Sequence, residues 1–382
     1  MSPAADWLST LDEEAAAREA AGLRRELRPR AAGDPTVDLA GNDYLGLARH
    51  PEVIAAAGRA LAAYGLGATG SRLVRGSTTI HRVLEEALAQ HLGCASALVF
   101  SSGYLANLGA LRALVRPGSL VVSDAHNHAS IVDACRLVRK QAEVRVAAHA
   151  DPGAVSSILG SSKKPAVVVT ESVFSVDGDL APLAELHAVG QKYGALLLVD
   201  DAHALGVRGP HGAGAVVEAG LAGAPDVVVT ATLSKALGAA GGVVAGPAPL
   251  HRHLVDTGRT FIYDTALPPA VAAGALAALT LLREGDDLRR TVTTRKERAV
   301  DRLRAAGLEV SAPDGGVISV TAPSAEAAYA WAAACRDRGV AVGCFRPPST
   351  PDGRSRLRLT VNAGLTDRAF DDALDTVVKS AP

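Results

Sequence analysis

Short apolar runs alternate with longer amphipathic stretches through the central part of the chain. The runs are rich in Val, Leu and Ala and are bounded by turn-forming residues, which is the pattern of buried β-strands. The predicted strands are residues 97–100, 120–122, 144–147, 165–170, 195–199, 227–230 and 243–245. The predicted helices around them are residues 51–64, 79–92, 105–115, 129–140, 182–193 and 269–282. This alternation predicts an α/β fold in which helices cover both faces of a mostly parallel, seven-stranded sheet.

The two ends of the chain have other patterns. Apolar positions from Trp7 to Leu27 fall on one side of a predicted amphipathic helix over residues 7–28, and a short strand begins at Val37. After about residue 285, helices (289–306, 325–339 and 366–378) alternate with strands (317–321, 340–343 and 356–360), as in a small α+β domain. We therefore expect an N-terminal helical and extended segment (1–48), a large α/β domain (49–283) and a smaller C-terminal α+β domain (284–382).

Composition narrows the classes of function. The 382 residues carry a formal net charge of −1, so no basic field indicates binding to nucleic acid or to an anionic membrane. The first twelve residues lack the basic-then-apolar pattern of a signal peptide, and no apolar run reaches membrane-spanning length. The four cysteines are scattered, which indicates reduced thiols and no metal framework. We expect a cytoplasmic protein without a bound metal.

One lysine stands out because of its neighbours. Lys235 lies between the predicted strands 227–230 and 243–245, in a segment crowded with small residues such as Thr232, Ser234 and Gly238. Small residues let a bulky group approach the backbone, and partial desolvation lowers the pKa of an amine and makes it a usable nucleophile or base. Such a lysine suits a Schiff base with an aldehyde cofactor. The alternative is a lysine at a strand end that reaches solvent.

Further polar residues follow other predicted strands. In α/β sheets, sites lie at the carboxyl ends of the strands, so residues that are distant in sequence meet at one edge. The residues just after predicted strands are Gly103 and Tyr104, His128, Ser175, Asp200 and His203, and Lys235. We expect these side chains to surround one small molecule.

A lysine, a carboxylate, a histidine and a phosphate cradle are together what pyridoxal phosphate requires. Asp200 ends a very apolar run, and a buried carboxylate there keeps the ring nitrogen protonated. His203 can reach the phenolic oxygen of the ring, and the flat imidazole of His128 can stack on its face. The turn at residues 101–104 opens a helix, whose N-terminus binds phosphate, and Thr232 can add a hydroxyl.

Each of these residues also has a purely structural interpretation. Asp200 could cap a helix, and His203 could be a hydrogen-bonded core histidine. Asp124, His126 and His128 could indicate metal ligands, but no second cluster completes a metal site. The cofactor hypothesis depends on all of the residues lying together at one edge of the sheet.

Residues 65–70 match the dinucleotide-binding pattern G-x-G-x-x-G, but their context is wrong. That fingerprint follows a strand and opens a helix, whereas a predicted helix precedes this segment. We expect a glycine-rich crossing near the active site. The alternative is a nicotinamide-dependent oxidoreductase.

Seven motifs along nearly the whole chain resemble those of the α-oxoamine synthases, which are fold-type-I pyridoxal phosphate enzymes. They are N-D-Y-L-G-L (42–47), G-S-R-L-V-R-G (70–76), S-S-G-Y (101–104), N-H-A-S (127–130), T-E-S-V-F-S-V-D-G (170–178), D-D-A-H (200–203) and T-L-S-K-A-L-G (232–238). Three positions depart from the family pattern, since Ser349 replaces a usual threonine, Ala204 a common glycine and Tyr104 a frequent phenylalanine. None of these changes removes a chemical group that the family's reaction needs.

The resemblance implies roles for individual residues. Lys235 is the Schiff-base lysine, and the other implied catalytic residues are His128, Asp200 and His203. The implied cofactor-binding residues are Gly103, Tyr104, His128, Ser175, Asp200, His203, Thr232, Ser234 and Lys235. Arg358 binds the carboxylate of the amino-acid substrate, while Arg24 and Ser349 line the acyl-substrate side. The family is homodimeric with the site at the subunit interface, so Ser71 and Thr265 are expected to act from the partner chain.

The implied reaction is a decarboxylative condensation of L-alanine with pimeloyl-CoA or a pimeloyl carrier protein. A sister synthase that uses glycine or serine with another acyl-CoA, such as glycine C-acetyltransferase, is the nearest alternative. A non-catalytic binding module on the same fold is a third alternative, beside the nicotinamide-dependent oxidoreductase.

Overall fold

The computed structural model describes residues 3–350 and 352–382 and contains two sheets. The strands in chain order are β1 (Val37–Leu39), β2 (Ser96–Phe100), β3 (Ser119–Asp124), β4 (Ala142–Ala147), β5 (Ala166–Glu171), β6 (Leu196–Asp200), β7 (Val227–Thr232), β8 (Gly242–Gly246), β9 (Val317–Thr321), β10 (Val340–Phe345) and β11 (Arg356–Thr360). The helices are α1 (Pro3–Ala20), α2 (Pro51–Tyr64), α3 (Thr79–His91), α4 (Gly103–Leu114), α5 (Ala129–Val138), α6 (Pro152–Gly160), α7 (Leu183–Tyr193), α8 (Ala215–Glu218), α9 (Ala248–Thr257), α10 (Arg259–Ile262), α11 (Pro269–Glu284), α12 (Asp286–Ala305), α13 (Ala325–Asp337) and α14 (Asp367–Lys379).

The large sheet has seven strands in the order β2-β8-β7-β6-β5-β3-β4. All its neighbouring pairs are parallel except the two that involve β8, which runs antiparallel to both β2 and β7. The predicted mostly parallel, seven-stranded sheet is therefore confirmed. The carboxyl ends of β3, β5, β6 and β7 meet at one edge, and the loops after these strands carry the predicted chemistry.

Both faces of the large sheet are buried. Successive side chains of a strand point to opposite faces, so neighbouring residues of one strand pack into different cores. Leu197 and Val199 of β6 belong to one apolar core, whereas Leu198, between them, belongs to the other. Helix α4 supplies Ala106, Ala110 and Leu111 to the second core. Strands that are buried on both faces explain the nearly continuous apolar runs in the sequence.

The small sheet has the order β1-β10-β11-β9. Strand β1 comes from the N-terminal segment and pairs in parallel with β10, so that Val37 lies opposite Val340. Residues 37–39 of the N-terminal segment and the strands near the C-terminus therefore share a sheet. The boundaries at residues 48 and 283 stay predictions.

The predicted N-terminal helix over residues 7–28 is wrong at its C-terminal end. Helix α1 ends at Ala20, and Gly22 adopts a left-handed backbone with φ of 66°, after which residues 23–30 form no regular element. The apolar positions of α1 do not form a core, since the side chain of Trp7 is 69% exposed. Helices α6, α8, α9 and α10 were not predicted. No helix in the described ranges has the length and apolar character needed to cross a bilayer.

Candidate active site

Lys235 lies in the turn between β7 and β8, three residues after Thr232 ends β7. The carbonyl of Lys235 accepts a hydrogen bond from the Gly238 amide at 2.8 Å, which closes the turn. Gly238 has φ of 59°, and a Cβ there would come within 2.3 Å of the Ala48 nitrogen, so this position requires glycine. The lysine side chain is half-buried. Burial lowers its pKa to about 8, against the opposing charges of Asp200 and Glu171.

A cradle of small residues lies next to this turn, at the N-terminus of α4. Ser102 caps the helix, since its Oγ accepts from the Leu105 amide at 3.2 Å. Gly103 packs against Thr232, because a Cβ on Gly103 would lie 3.1 Å from the Thr232 Cβ. Thr232 Oγ1 lies 2.7 Å from Ser234 Oγ. The first amides of a helix have no intrahelical partner, so this N-terminus with two hydroxyls beside it suits a phosphate.

Asp200 ends β6 and is held by a residue to which the sequence analysis gave no role. The carboxylate of Asp200 is buried, and its Oδ2 accepts from Asn107 Nδ2 at 2.7 Å. Its Oδ1 accepts from the Ala202 amide at 3.0 Å. Asn107 in turn accepts from Thr230 Oγ1 at 2.5 Å, which fixes the orientation of its amide. Two donors therefore hold this carboxylate in place.

His203 lies in the turn after β6 and is buried against Tyr44 of the N-terminal segment. The Tyr44 hydroxyl and His203 Nδ1 are 2.6 Å apart. Burial lowers the pKa of His203 well below its usual value, and Lys235 and Arg358 add to this effect. Burial also raises the pKa of Tyr44, so the tyrosine keeps its proton. A neutral imidazole whose Nδ1 accepts a hydrogen bond from the tyrosine hydroxyl carries its own proton on Nε2.

His128 follows β3 and caps α5. Its Nδ1 accepts from the Ser130 amide at 3.2 Å and lies 2.7 Å from Ser130 Oγ. Asn107 Nδ2 also donates to Ser130 Oγ at 2.8 Å, so one amide connects the environments of His128 and Asp200. The His128 side chain is exposed, which leaves the imidazole ring accessible to a ligand.

Glu171, at the end of β5, is the most unusual acid of the site. It lies opposite Asp200 in the register of the sheet and is buried. Burial, followed by the charge of Asp200, raises the pKa of Glu171 well above its usual value and so favours its neutral form. Its Oε2 accepts from the Ser175 amide at 3.1 Å, whereas Oε1 is buried without a hydrogen-bond partner among the described residues.

Arg358, in the middle of β11, connects the small sheet to this site. Its Nη1 donates to the Ser175 carbonyl at 3.0 Å and its Nη2 to Asn42 Oδ1 at 2.8 Å. Arg356, two residues earlier on the same face, instead binds the carboxylates of Asp177 and Asp352. Within the described part of the chain, Arg358 is buried, has no carboxylate partner and leaves its Nε unpaired. A buried guanidinium of this kind favours an anionic ligand.

Arg24 and Ser349 line the same cavity, which has a volume of about 1160 Å³ and lies between residues 15–28 and residues 329–349. They do not contact each other through their side chains. Arg24 pairs with Glu19 at 2.9 Å, and Arg25 donates to Ser349 Oγ at 3.1 Å. The structure therefore brings Arg25, rather than Arg24, to the hydroxyl of Ser349.

The glycine-rich segment 65–70 follows helix α2 and not a strand, so it lacks the context of a dinucleotide site. Ser71 lies just after it and precedes a short helical turn over residues 72–76. Ser71 is half-buried and Thr265 is exposed. Large apolar side chains around them are also exposed, and these are Leu66, Leu73, Val74 and Tyr263.

The residues at this edge fit pyridoxal phosphate. The N-terminus of α4 with Thr232 suits its phosphate, the carboxylate of Asp200 suits a protonated ring nitrogen, and the Lys235 amine suits its aldehyde. The close packing of Gly103 on Thr232 and the unpaired buried Oε1 of Glu171 are features that a ligand would explain. No group of three or more possible metal-ligating side chains occurs in the described ranges.

Sequence reasoning assigned no role to three residues that shape this site, namely Asn107, Glu171 and Tyr44. Glu171 and Tyr44 lie within the quoted motifs 170–178 and 42–47, so a signal was present for both. Asn107 lies inside helix α4 and carried no such signal, because its partners Asp200 and Ser130 are distant in sequence.

The chain matches the family model described as aminotransferase class I and II over residues 34–377. It is similar to 8-amino-7-oxononanoate synthase of Mycolicibacterium smegmatis, with 55% identity over 368 residues, which cover 96% of this chain and 94% of the relative. Among solved structures, serine palmitoyltransferase of Sphingomonas wittichii superimposes with a TM-score of 0.91 and 32% identity, covering 100% of this chain and 98% of that one. A variant serine palmitoyltransferase of S. paucimobilis, solved with a bound PLP–myriocin aldimine, gives a TM-score of 0.90 and 31% identity over 98% and 97% of the two chains.

Proposed function

We propose that this chain, which belongs to the aminotransferase class I and II family and, within it, to the 8-amino-7-oxononanoate synthases, condenses L-alanine with a pimeloyl thioester. The reaction releases CO₂ and the thiol carrier and forms 8-amino-7-oxononanoate, in biotin biosynthesis. The observation that carries the proposal is the convergence of a lysine of lowered pKa, a fixed carboxylate and a buried, unneutralised arginine at one edge of the sheet.

Pyridoxal phosphate is the cofactor, and when bound it supplies an electron sink that stabilises negative charge at the Cα of the amino acid. Lys235 would hold its aldehyde, and Asp200 would hold a proton on its ring nitrogen. His203 would contact its phenolic oxygen, and His128 would lie against its ring. The phosphate would be held by Gly103, Tyr104, Thr232 and Ser234, with Ser175 as a further contact.

Lys235 moves the proton that starts the reaction. Because its pKa is lowered to about 8, roughly a tenth of the amine is neutral at pH 7, and this form can remove the Cα proton of L-alanine. The raised pKa of Glu171 disfavours a second negative charge beside Asp200. After carbon–carbon bond formation and loss of CO₂, the protonated Lys235 returns a proton to the same carbon.

Arg358 would bind the carboxylate of L-alanine. Its partners Asn42 and the Ser175 carbonyl are neutral, so its positive charge is not cancelled by a neighbouring acid. A charge-assisted hydrogen bond to a substrate carboxylate is stronger than one between neutral groups. Alanine then lies between an arginine of the small domain and a lysine of the large one.

The acyl donor would enter through the cavity lined by Arg24 and Ser349. Ser349 offers a hydroxyl, and Arg24, whose ion pair with Glu19 is exposed to solvent, offers a guanidinium to the polar and anionic groups of pimeloyl-CoA or of a pimeloyl carrier protein. Arg25, which contacts Ser349 directly, belongs to the same surface.

We further propose that the active form is a cytoplasmic homodimer. The exposed apolar side chains around Ser71 and Thr265 support this, since a large exposed apolar patch marks an interaction surface. In the dimer, Ser71 and Thr265 would act at the site of the partner chain.

A competition of substrates tests the proposal. The kcat/KM would be measured by release of CoA for L-alanine, glycine and L-serine, each with pimeloyl-CoA and with acetyl-CoA, and for L-alanine with a pimeloyl carrier protein. The highest value is expected for L-alanine with a pimeloyl donor. A preference for glycine with acetyl-CoA would instead assign the chain to a sister synthase, and no turnover with any pair would contradict an enzymatic role.

A further inference from the structure

A second histidine site lies beside the candidate active site, where His149 bridges two carboxylates. Its Nδ1 is 3.0 Å from Asp124 Oδ1, and its Nε2 is 2.9 Å from Asp179 Oδ2. Asp124 ends β3, His149 lies in the loop after β4, and Asp179 lies in the loop after β5. The bridge therefore joins the loops that follow three adjacent strands of the large sheet.

The geometry requires a charged imidazole. A carboxylate only accepts hydrogen bonds, so a ring with a carboxylate oxygen at each nitrogen must donate from both and must be an imidazolium. Burial opposes this charge, but the hydrogen bonds and charges of Asp124 and Asp179 outweigh it and raise the pKa of His149 to about 9.

The surroundings of His149 favour one orientation of its ring. The ring of His126 stacks on it with centroids 3.8 Å apart, and the ring of Phe174 meets it edge-on at 4.3 Å. Burial lowers the pKa of His126, and the charge of His149 lowers it further, so a neutral ring stacks on a charged one. Asp177 is a further acidic side chain whose charge acts on His126.

Asp124 uses its carboxylate to shape the segment that carries His128. Its Oδ1 also accepts from the His126 amide at 2.7 Å, and its Oδ2 accepts from the Ala150 amide at 2.7 Å. Ala150 has φ of 49°, a left-handed conformation that costs a non-glycine residue free energy and persists only where its surroundings impose it. Residues 124–128 form what we call the His128 segment.

Asp179 belongs to the hairpin of residues 172–181, which we call the Ser175 hairpin. Its backbone is closed by hydrogen bonds from the Phe174 amide to the Asp179 carbonyl at 2.9 Å and from the Ala181 amide to the Ser172 carbonyl at 2.8 Å. The same hairpin presents the Ser175 amide to Glu171 and the Ser175 carbonyl to Arg358. A displacement of this hairpin would therefore change both contacts.

We propose that His149 is a positioning residue whose two ion pairs tie the His128 segment to the Ser175 hairpin and so hold two walls of the candidate active site in register. It contacts neither the cofactor nor the substrate in this role, but acts through the two loops. Asn127 adds a neutral connection from the His128 segment to the end of β5, just before the Ser175 hairpin, since its Nδ2 donates to the Val169 carbonyl and its Oδ1 accepts from the Glu171 amide.

Hydrogen–deuterium exchange on the full-length protein without substrate tests the positioning directly. His149→Gln removes the charge and can donate to only one of the two carboxylates. We expect the amides of residues 123–130 and 172–181 to exchange at least about tenfold faster than in the wild type, with the rest of the large sheet unchanged. Unchanged exchange in these two segments would overturn the proposal, and so would a uniform acceleration over the whole sheet, which indicates a general structural role.

His187 offers a matched control. Its Nε2 pairs with Asp226 Oδ1 at 3.0 Å, but Asp226 precedes β7 and so lies at the opposite, amino end of the strands. His187→Gln also breaks a histidine–carboxylate pair, and it should leave the two segments as in the wild type. If His187→Gln loosened them as much as His149→Gln does, the specific connection would be refuted.

The charge on His149 is tested with Asp179→Asn, which keeps an acceptor but removes one negative charge. In the wild type, the protection of both segments should fall as the pH rises through about 9. The midpoint should move toward neutral pH in Asp179→Asn, because one of the two charges that favour the imidazolium is gone. An unchanged midpoint would contradict the proposal.

The effect on the reaction rests on the proposed function, whereas the exchange measurements do not. His149→Gln should slow the exchange of the Cα proton of L-alanine with solvent by about 10- to 100-fold, since small displacements of positioned groups cost rates of this order. The KM for L-alanine should change less, because Arg358 is retained. If the amides of the two segments exchanged faster but the Cα proton of L-alanine exchanged at the wild-type rate, the two segments would not position the groups that react.

Discussion

The side-chain amide of Asn107 donates to Asp200 Oδ2 over 2.7 Å and joins the first turns of α4 to the end of β6. The same nitrogen donates to Ser130 Oγ, and the amide oxygen accepts from Thr230. One buried amide thus fixes the carboxylate on which the cofactor hypothesis depends and also the serine beside His128.

Replacement of Asn107 with Ala should reduce kcat by about 10- to 100-fold, since misplacement of catalytic groups costs rates of this order. It should also lower the free energy of unfolding by about 1–3 kcal/mol, because buried polar partners lose their hydrogen bonds. Steady-state kinetics and thermal unfolding measure the two effects. Ser130→Ala, which removes the other acceptor of the amide, should have the smaller effect on kcat; the reverse order would contradict the link to Asp200.

Arg358 and Arg356 form a matched pair for substitution. Arg358→Lys keeps the charge but loses the planar fork, and it should raise the KM for L-alanine by about 10- to 100-fold, the equivalent of one charged hydrogen bond. Arg356→Lys should leave this KM nearly unchanged, because Arg356 is already bound to Asp177 and Asp352. Steady-state kinetics with varied L-alanine would refute the assignment if both variants raised the KM equally.

Glu171→Gln should have little effect on activity, with a change in kcat/KM of less than about threefold. Because burial and the charge of Asp200 raise the pKa of Glu171 and favour its neutral form, glutamine reproduces the shape and the charge of that form. The measurement is kcat/KM for L-alanine at pH 7, beside that of Asp200→Asn. A loss as large as that of Asp200→Asn would mean that Glu171 acts as an ionised base.

The pH dependence of Lys235 can be followed by its chemical modification in the protein without bound cofactor. Since its pKa is lowered from 10.5 to about 8, the rate of reductive methylation of Lys235 should rise with pH around a midpoint of about 8. In Asp200→Asn the midpoint should fall further, because Asp200 is the group that most strongly favours the ammonium form. A midpoint that stays at 10 or above in the wild type would contradict the desolvation of this lysine.

Much of the seven-stranded sheet could be predicted because its strands are buried on both faces. The apolar run before Asp200 is β6, and the runs on both sides of Lys235 are β7 and β8. The polar residues that follow these apolar runs in the sequence therefore indicated which edge of the sheet carries the site. The rule that sites lie at the carboxyl ends of parallel strands then brought distant residues together.

The other features of the fold and the site could not be predicted, because they depend on contacts between residues that are distant in sequence and that no local sequence pattern indicates. Helix α1 ends early because the backbone turns at Gly22, although the apolar spacing continues to Leu27. Arg25, and not Arg24, contacts Ser349. This distinction depends on how residues 23–30, which form no regular element, lie against the turn that carries Ser349. The pairing of His203 with Tyr44 likewise connects residues 159 positions apart.

The most direct test of the central claim is to identify the lysine that binds the cofactor. The purified protein, saturated with pyridoxal phosphate, would be reduced with borohydride, digested and analysed by mass spectrometry. The account predicts one phosphopyridoxyl group per chain, on Lys235. A stable label on another lysine, or a protein that takes up no cofactor, would contradict it.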